Sequence, residues 1–325
     1  MRRSALLLAL AAAVIALIPV VAPNLFYVHL AIVTCLNVMF VLGLAVIARV
    51  GQLSMGHAGF GLLGGYVSAL LAMNLGLPVP LGLLAATLAA AATAALLGWI
   101  ILRLRGVYFV LVAFSFGQIV VLLALGMEDI TQGANGLVNV PAPAVFGYLL
   151  NTKTAFYPLA VAAAALVGTG VWLLFRSPFG DAMAAIAENP RLTESSGVDT
   201  HVYQVVAFSI GSGIAGFAGA LSTHYFQFIS PDSFTFWDSV SYLTMLVVGG
   251  RVGVWGPILG AVVLTPLPEL LRSTQGLQHV LYGAVLILVL LFLRDGLVGL
   301  PARLRGLRRT SAPHPILEHS PERPS

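Results

Sequence analysis

The chain has 325 residues, of which 59% are hydrophobic and 9% charged, and its mean hydropathy is +0.97. Soluble domains run about 45–50% apolar and about 25% charged, so this composition argues against a soluble fold and for an all-α polytopic membrane protein. The net charge of +4 does not mark a nucleic-acid partner, because the basic residues lie at the ends of apolar runs and build no basic face with interleaved aromatics.

A spanning helix needs about 20 apolar residues. Arg2 and Arg3 precede the first such run, 5–22, which is read as a membrane helix and not as a cleaved leader, since Pro23 follows the only small-residue cleavage point. Further long runs are 30–48, 81–101, 107–126, 155–175, 203–225 and 280–293, with shorter or interrupted ones at 57–73, 239–250 and 254–271. Arg49, Arg103, Arg105, Arg176, Arg294 and the Arg-rich end all fall on one side only if the short segments also cross. The positive-inside rule then gives about ten spans with both termini cytoplasmic. The weak point is 239–250, which is short for a full crossing. Residues 1–300 read as one transmembrane domain and 301–325 as a disordered basic tail rich in Arg, Pro and Ser.

Two segments are expected on the outer side, 127–154 and 227–238; the first carries Thr131, Gly133, Asn135, Gly136, Pro141 and Pro143, a density of turn formers that predicts an ordered loop or a short re-entrant piece. Two glycine-broken segments, 51–65 and 249–257, each begin a span just after an arginine and share Arg-Val-Gly. Broken helices repeated in two halves flank the substrate path in many transporters, though glycines also simply allow close packing. Gly211, Ala215 and Gly219, spaced by four on one run, predict a small-residue seam for helix packing.

The most informative stretch is a polar island at 177–202 holding Asp181, Glu188, Arg191, Glu194 and Asp199. Ser177-Pro178 reads as an N-cap followed by proline in the first helical position. Met183, Ile186 and Ala187 then share one face. Asn189-Pro190 stops this helix and caps another, Gly197 ends the second, and Asp199 caps the span that follows. Two short helices across the ends of the spans suit docking into a partner's groove through a small apolar face. The alternative is a helix lying on lipid, which the mainly acidic polar face disfavours.

Polar groups within apolar runs mark the candidate translocation path: Asn37, Ser54, His57, Ser115 and Gln118. For each of them an interhelical hydrogen bond is the competing role. Cys35 is the only cysteine and the histidines are scattered, so neither a metal site nor a disulfide is expected. No HExxH or GxSxG run occurs, so no catalytic residues are assigned, and no motif calls for a cofactor. Lys153 is the only lysine and follows Thr152, which rules a Gly-Lys-Ser/Thr nucleotide loop out of these 325 residues. A nearly uncharged path fits amino acids, urea or short amides, and a gradient-driven carrier remains the alternative to ATP-driven transport.

Four blocks carry a family resemblance. They are Gly51 through Phe60, Leu104 through Phe109 with Gln118, Ser177-Pro178-Phe179-Gly180 through Ala184, Ile186, Glu188 and Asn189 to Gly197, and Gly249-Gly250 with Trp255 through Ala261. On them the chain resembles inner-membrane permeases of branched-chain amino acid ABC importers, of the LivM type. The resemblance implies a bacterial plasma-membrane location and a set of partners. These are a LivH-type second permease, two cytoplasmic ATPase subunits and a periplasmic or lipid-anchored solute-binding protein, with membrane lipid around the spans. It also implies that Ser177, Pro178, Gly180, Ala184, Glu188, Asn189 and Gly197 sit at the ATPase contact. Asp181 stands where relatives commonly carry a basic residue, and Gln204 where lysine is frequent.

Overall fold

The computed structural model describes residues 24–104, 106–145, 148–250 and 253–270. The expected spans at 5–22 and 280–293, Arg251 and the tail at 301–325 lie outside the described residues. Within them the chain is helical, as the apolar runs require. A chain inside lipid must satisfy its backbone polar groups internally, and a helix does this within one segment.

The long helices are α1 (Leu25–Ala48), α2 (His57–Asn74), α3 (Val79–Ile101) and α4 (Val107–Gly126). A one-turn α5 (Glu128–Thr131) opens the connection to α6 (Lys153–Phe175). Two short helices follow, α7 (Pro178–Glu188) and α8 (Pro190–Ser195), and then the longest, α9 (Thr200–Phe226). The described chain closes with α10 (Phe236–Gly249), α11 (Trp255–Leu264) and α12 (Pro266–Leu270). Five helices, α1, α3, α4, α6 and α9, are long and apolar enough to cross a membrane by length and composition. The 18 residues of α2 add about 27 Å at ~1.5 Å per residue, close to the hydrocarbon thickness.

The core is built around α9, which packs against α1, α2 and α3. Small residues make this possible. Gly211 meets Gly43 of α1, Gly216 meets Ala86 and Ala90 of α3, and Gly219 meets the backbone of Gly61 in α2. Lipid tails are as apolar as leucine, so helices in a membrane gain by close approach and not by leaving water. Ala86, Ala90 and Ala94, spaced by four, are all fully buried on the α3 face that receives α9, while Leu84, Leu88 and Leu96 point away.

The described part of 127–154 is short helical turns and two-residue strands, as the density of turn residues leads one to expect. Two-residue strands β1 (Leu137–Val138) and β4 (Phe228–Ile229) pair antiparallel, which ties the loop to the end of α9. A second small hairpin joins β2 (Ala144–Val145) and β3 (Tyr148–Leu149). His224 completes the tie. A carbonyl can only accept, so Nδ1–H of His224 donates to Pro141 O at 2.7 Å, and Nε2 accepts from Ser68 Oγ at 2.8 Å.

The run at 239–250 folds within the 14-residue α10, which is short for a full crossing by itself. After α9 the chain passes through β4 and a 3-10 turn (Pro231–Ser233) before helix resumes. Along this stretch Ile229 lies against Gly65, then Phe234 against Gly61, and finally Ser239 Oγ accepts the N–H of Ala58 at 2.9 Å. The contact moves seven residues down α2, so non-helical chain runs along that part of α2 and α10 begins beside its start. Ser239 is 1% exposed, so Ser239→Ala would leave the Ala58 N–H buried and unpaired. The expected cost is about 1–3 kcal/mol, read as a lower melting temperature of the purified protein in detergent; an unchanged value would show that the bond is dispensable.

Candidate coupling surface and translocation path

The polar island folds as two capped helices. Ser177 Oγ accepts from Gly180 N at 3.2 Å and donates to Leu174 O at 2.7 Å, with Pro178 in the first turn. Asn189 ends α7 and caps α8, its Oδ1 accepting from Leu192 N at 3.1 Å. Gly197 turns the chain at φ +85°, and Asp199 Oδ1 accepts from His201 N and Val202 N to start α9. Thr200 Oγ1 donates to Glu194 Oε1 at 2.6 Å across the turn. Each element of the island is thus anchored by a side chain that the sequence singled out.

What the island presents differs from the expectation. Met183 and Ile186 are fully buried and Gly180 is pressed onto the backbone of Leu174 and Phe175, so of the predicted apolar face only Ala187 is exposed and the rest packs on this chain's own helix ends. Phe179 stacks on Tyr203 of α9, centroids 4.7 Å apart. The physical reason is proximity: the apolar stripe of a helix clamped at both ends meets the bundle before it can meet anything else. The outer surface is instead Asp181, Ala185, Glu188, Arg191 and Leu192, with Leu192 65% exposed. Of the residues assigned to the partner contact, Pro178, Glu188, Asn189 and Gly197 are exposed, Ser177 and Ala184 are half-buried, and Gly180 is buried.

At the same end of the bundle, Arg49 lies 5.1 Å from the Phe175 ring centroid and Arg176 lies 4.1 Å from that of Trp172. Guanidinium groups over aromatic faces near helix ends gain a cation–π contact, although Arg49 Nε is buried without a hydrogen-bond partner among the described residues. The island touches the first broken segment directly: Ala187 packs against the turn at Gly51, whose φ is +80°.

The five candidate path residues fall into separate settings. Ser54 and His57 are fully buried inside this subunit. His57 Nε2–H donates to Phe40 O at 2.9 Å, and its Nδ1, like Ser54 Oγ, has no hydrogen-bond partner among the described residues. The His57 ring is edge-on to Phe40 and Tyr242, which stack on each other at 4.6 Å. Asn37 Nδ2 donates to Thr265 Oγ1 at 3.1 Å, linking α1 to the break between α11 and α12. Ser115 is exposed on α4 with its hydroxyl bonded to Leu111 O at 2.9 Å, and Gln118 is half-buried one turn on. The packing seam behaves as expected, with Gly211, Ala215 and Gly219 all buried in α9.

The family described as the permease component of branched-chain amino acid transport systems matches residues 26–290. The chain belongs to this family. It is 33% identical to the high-affinity branched-chain amino acid transport permease LivM of Escherichia coli K12 over 295 residues, covering 83% of this chain and 69% of that one. It is 26% identical to the LivH permease of the same organism over 274 residues, 78% of this chain and 87% of the other. The autoinducer 2 import permease LsrC of Salmonella choleraesuis is 32% identical over 146 residues, 42% and 41% of the two chains. No solved structure matches the chain significantly.

Two residues absent from the sequence-based site, Asp238 and Ser239, hold the start of α10 in the structure. The signal that could have found them is the box Thr235-x-x-Asp238, which marks a helix start. In the structure both directions of that box are made.

Proposed function

We propose that this chain is the LivM-type permease subunit of an ATP-driven importer that moves branched-chain or other small amino acids across the bacterial inner membrane. Its partners would be a LivH-type permease, two cytoplasmic ATPase subunits and a periplasmic or lipid-anchored solute-binding protein. What carries the reading is the doubly capped island clasped to the ends of α6 and α9, in a family member that has no nucleotide loop within these 325 residues. The end bearing Arg49, Arg103 and Arg176 is then cytoplasmic, and the 127–154 loop faces the binding protein.

The mechanism follows from the packing. ATP binding and hydrolysis switch the ATPase pair between two states, and the permease gains direction only if those states hold α7 and α8 differently. Displacement of α7 bears on Ala187, on the Gly51 turn and so on the start of α2. The start of α2 is bonded to α10, and the chain leading into α10 is paired with the outer loop. A push at the cytoplasmic end would therefore reach the outer loop through a series of direct contacts, one of them the Ser239 Oγ bond.

Reconstitution tests the reading. Vesicles with both permeases, the ATPase pair and the binding protein should accumulate leucine with ATP, and vesicles without the ATPase subunits should not. Uptake without the ATPase pair would favour a gradient-driven carrier instead. The topology has its own test. A cysteine at Asn74, exposed at the end of α2, is expected to react with a membrane-impermeant maleimide from the periplasmic side, while buried Cys35 stays silent. Labelling from the cytoplasmic side alone would overturn the ten-span arrangement.

A further inference from the structure

The outward face of α7 is a charged stripe. At about 3.6 residues per turn, Pro178, Asp181, Ala185 and Glu188 fall within roughly 80° of arc, and all four are exposed. Gly180, Met183 and Ile186, which clamp α7 to the bundle, lie on the opposite side and are buried. Asp181 and Glu188 are seven residues apart, about 10 Å along the axis at ~1.5 Å per residue, and on the stripe only the methyl group of Ala185 stands between them. Neither carboxylate makes a hydrogen bond or an ion pair among the described residues. Arg191 lies beyond the Asn189 break, in α8, and does not pair with Glu188.

Two carboxylates held in this way call for two cations and not for one. A metal ion takes its oxygen ligands at about 2.0–2.6 Å, so groups about 10 Å apart cannot share it. Lipid is the wrong cover as well, because the cytoplasmic leaflet is anionic and attracts Lys and Arg. A protein groove carrying two basic side chains at the same separation does match, and the small Ala185 lets its wall come close.

We propose that Asp181 and Glu188 seat α7 in a basic groove of the ATPase subunit, each pairing with its own Lys or Arg through charge-assisted hydrogen bonds. This rests on the permease reading above and adds the chemistry of the groove. It has a mechanical consequence. One ion pair would let the helix pivot in its seat, whereas two at separate points fix the direction of its axis. The far side of α7 is clamped by Gly180, Met183 and Ile186, so motion of the groove reaches the Ala187 contact at Gly51 as a pull as well as a push.

The test pairs binding with labelling in inverted vesicles that hold both permeases. Purified ATPase subunits are titrated at low and high salt. Asp181→Asn and Glu188→Gln combined in one chain should weaken their binding roughly tenfold and flatten its salt dependence. The melting temperature of the permease pair should not change, since Ser177 still caps α7. Separately, Ala185→Cys should react with a maleimide in the permeases alone and be protected once the ATPase subunits are added, while buried Cys35 stays silent. Binding by the neutral variant that equals the unsubstituted permease in strength and salt dependence overturns the proposal. So does a loss that tracks a fall in melting temperature and keeps its salt dependence. Ala185→Cys protected without the ATPase subunits marks lipid contact, and labelling that they leave unchanged marks a surface they never cover; either result also overturns it. If the unsubstituted permeases bind no ATPase subunit at any salt, the permease reading itself fails.

Discussion

Gly219→Val is expected to prevent the bundle from assembling. A side chain at Gly219 would enter the backbone of Gly61, with the carbonyl oxygen well inside contact distance. Flexible neighbours can yield to an added methyl, but here the obstacle is helix backbone. Overpacking usually costs about 1–3 kcal/mol where side chains can give; at a backbone contact between α2 and α9 the upper end or beyond is expected. The measurement is the fraction of monodisperse protein recovered in mild detergent and its melting temperature. Gly170→Val serves as the control, because nothing lies within 4 Å of the added carbon on that exposed face of α6. Equal recovery of the two variants would refute the claim that the central helix is positioned by glycine-level contact.

Gly197→Val should separate ATP hydrolysis from uptake. Space is not the issue there, since a side chain at Gly197 would meet nothing within 4 Å. The obstacle is conformation: φ is +85°, where an L-residue pays roughly 1–2 kcal/mol and a β-branched one is least tolerated. That strain falls on the turn between α8 and the Asp199 cap of α9. The island should therefore shift relative to the spans while each helix remains formed. Leucine uptake per ATP hydrolysed is expected to drop with the protein still in the membrane, and Gly197→Asn should be milder because asparagine enters the left-handed region more readily. Uptake unchanged in the valine variant would show that the turn does not transmit the ATPase motion.

Much of the architecture was readable because membrane helices announce themselves. The apolar runs at 30–48, 81–101, 107–126, 155–175 and 203–225 correspond to α1, α3, α4, α6 and α9. The island was equally legible, since Ser177, Asn189 and Asp199 are caps whose chemistry is local and acts within three residues. What escaped was set by distant contacts. Nothing near Met183 or Ile186 reveals that their face is covered by the bundle. Nothing near Phe236 or Ser239 reveals their partners, Phe114 and Ala58, which lie far off in the chain. The segment leading into α10 lacks regular helix, so hydropathy alone could not place it along α2. The path residues were chosen by polarity, which cannot distinguish Ser54 sealed in a core from Ser115 on an open face.

The bond between Ala58 and Ser239 also bears on biogenesis. Its partners are separated by 181 residues. At roughly 5–20 residues per second, the ribosome needs on the order of 10–40 s to supply the acceptor after the donor has been made. During that interval the first turn of α2 has an open amide that lipid cannot satisfy. The early helices must therefore remain beside the insertion machinery or its water until the last third of the chain arrives. A truncated product lacking α10 would leave that amide permanently exposed, which gives membrane quality control a local feature by which to recognise an unfinished subunit.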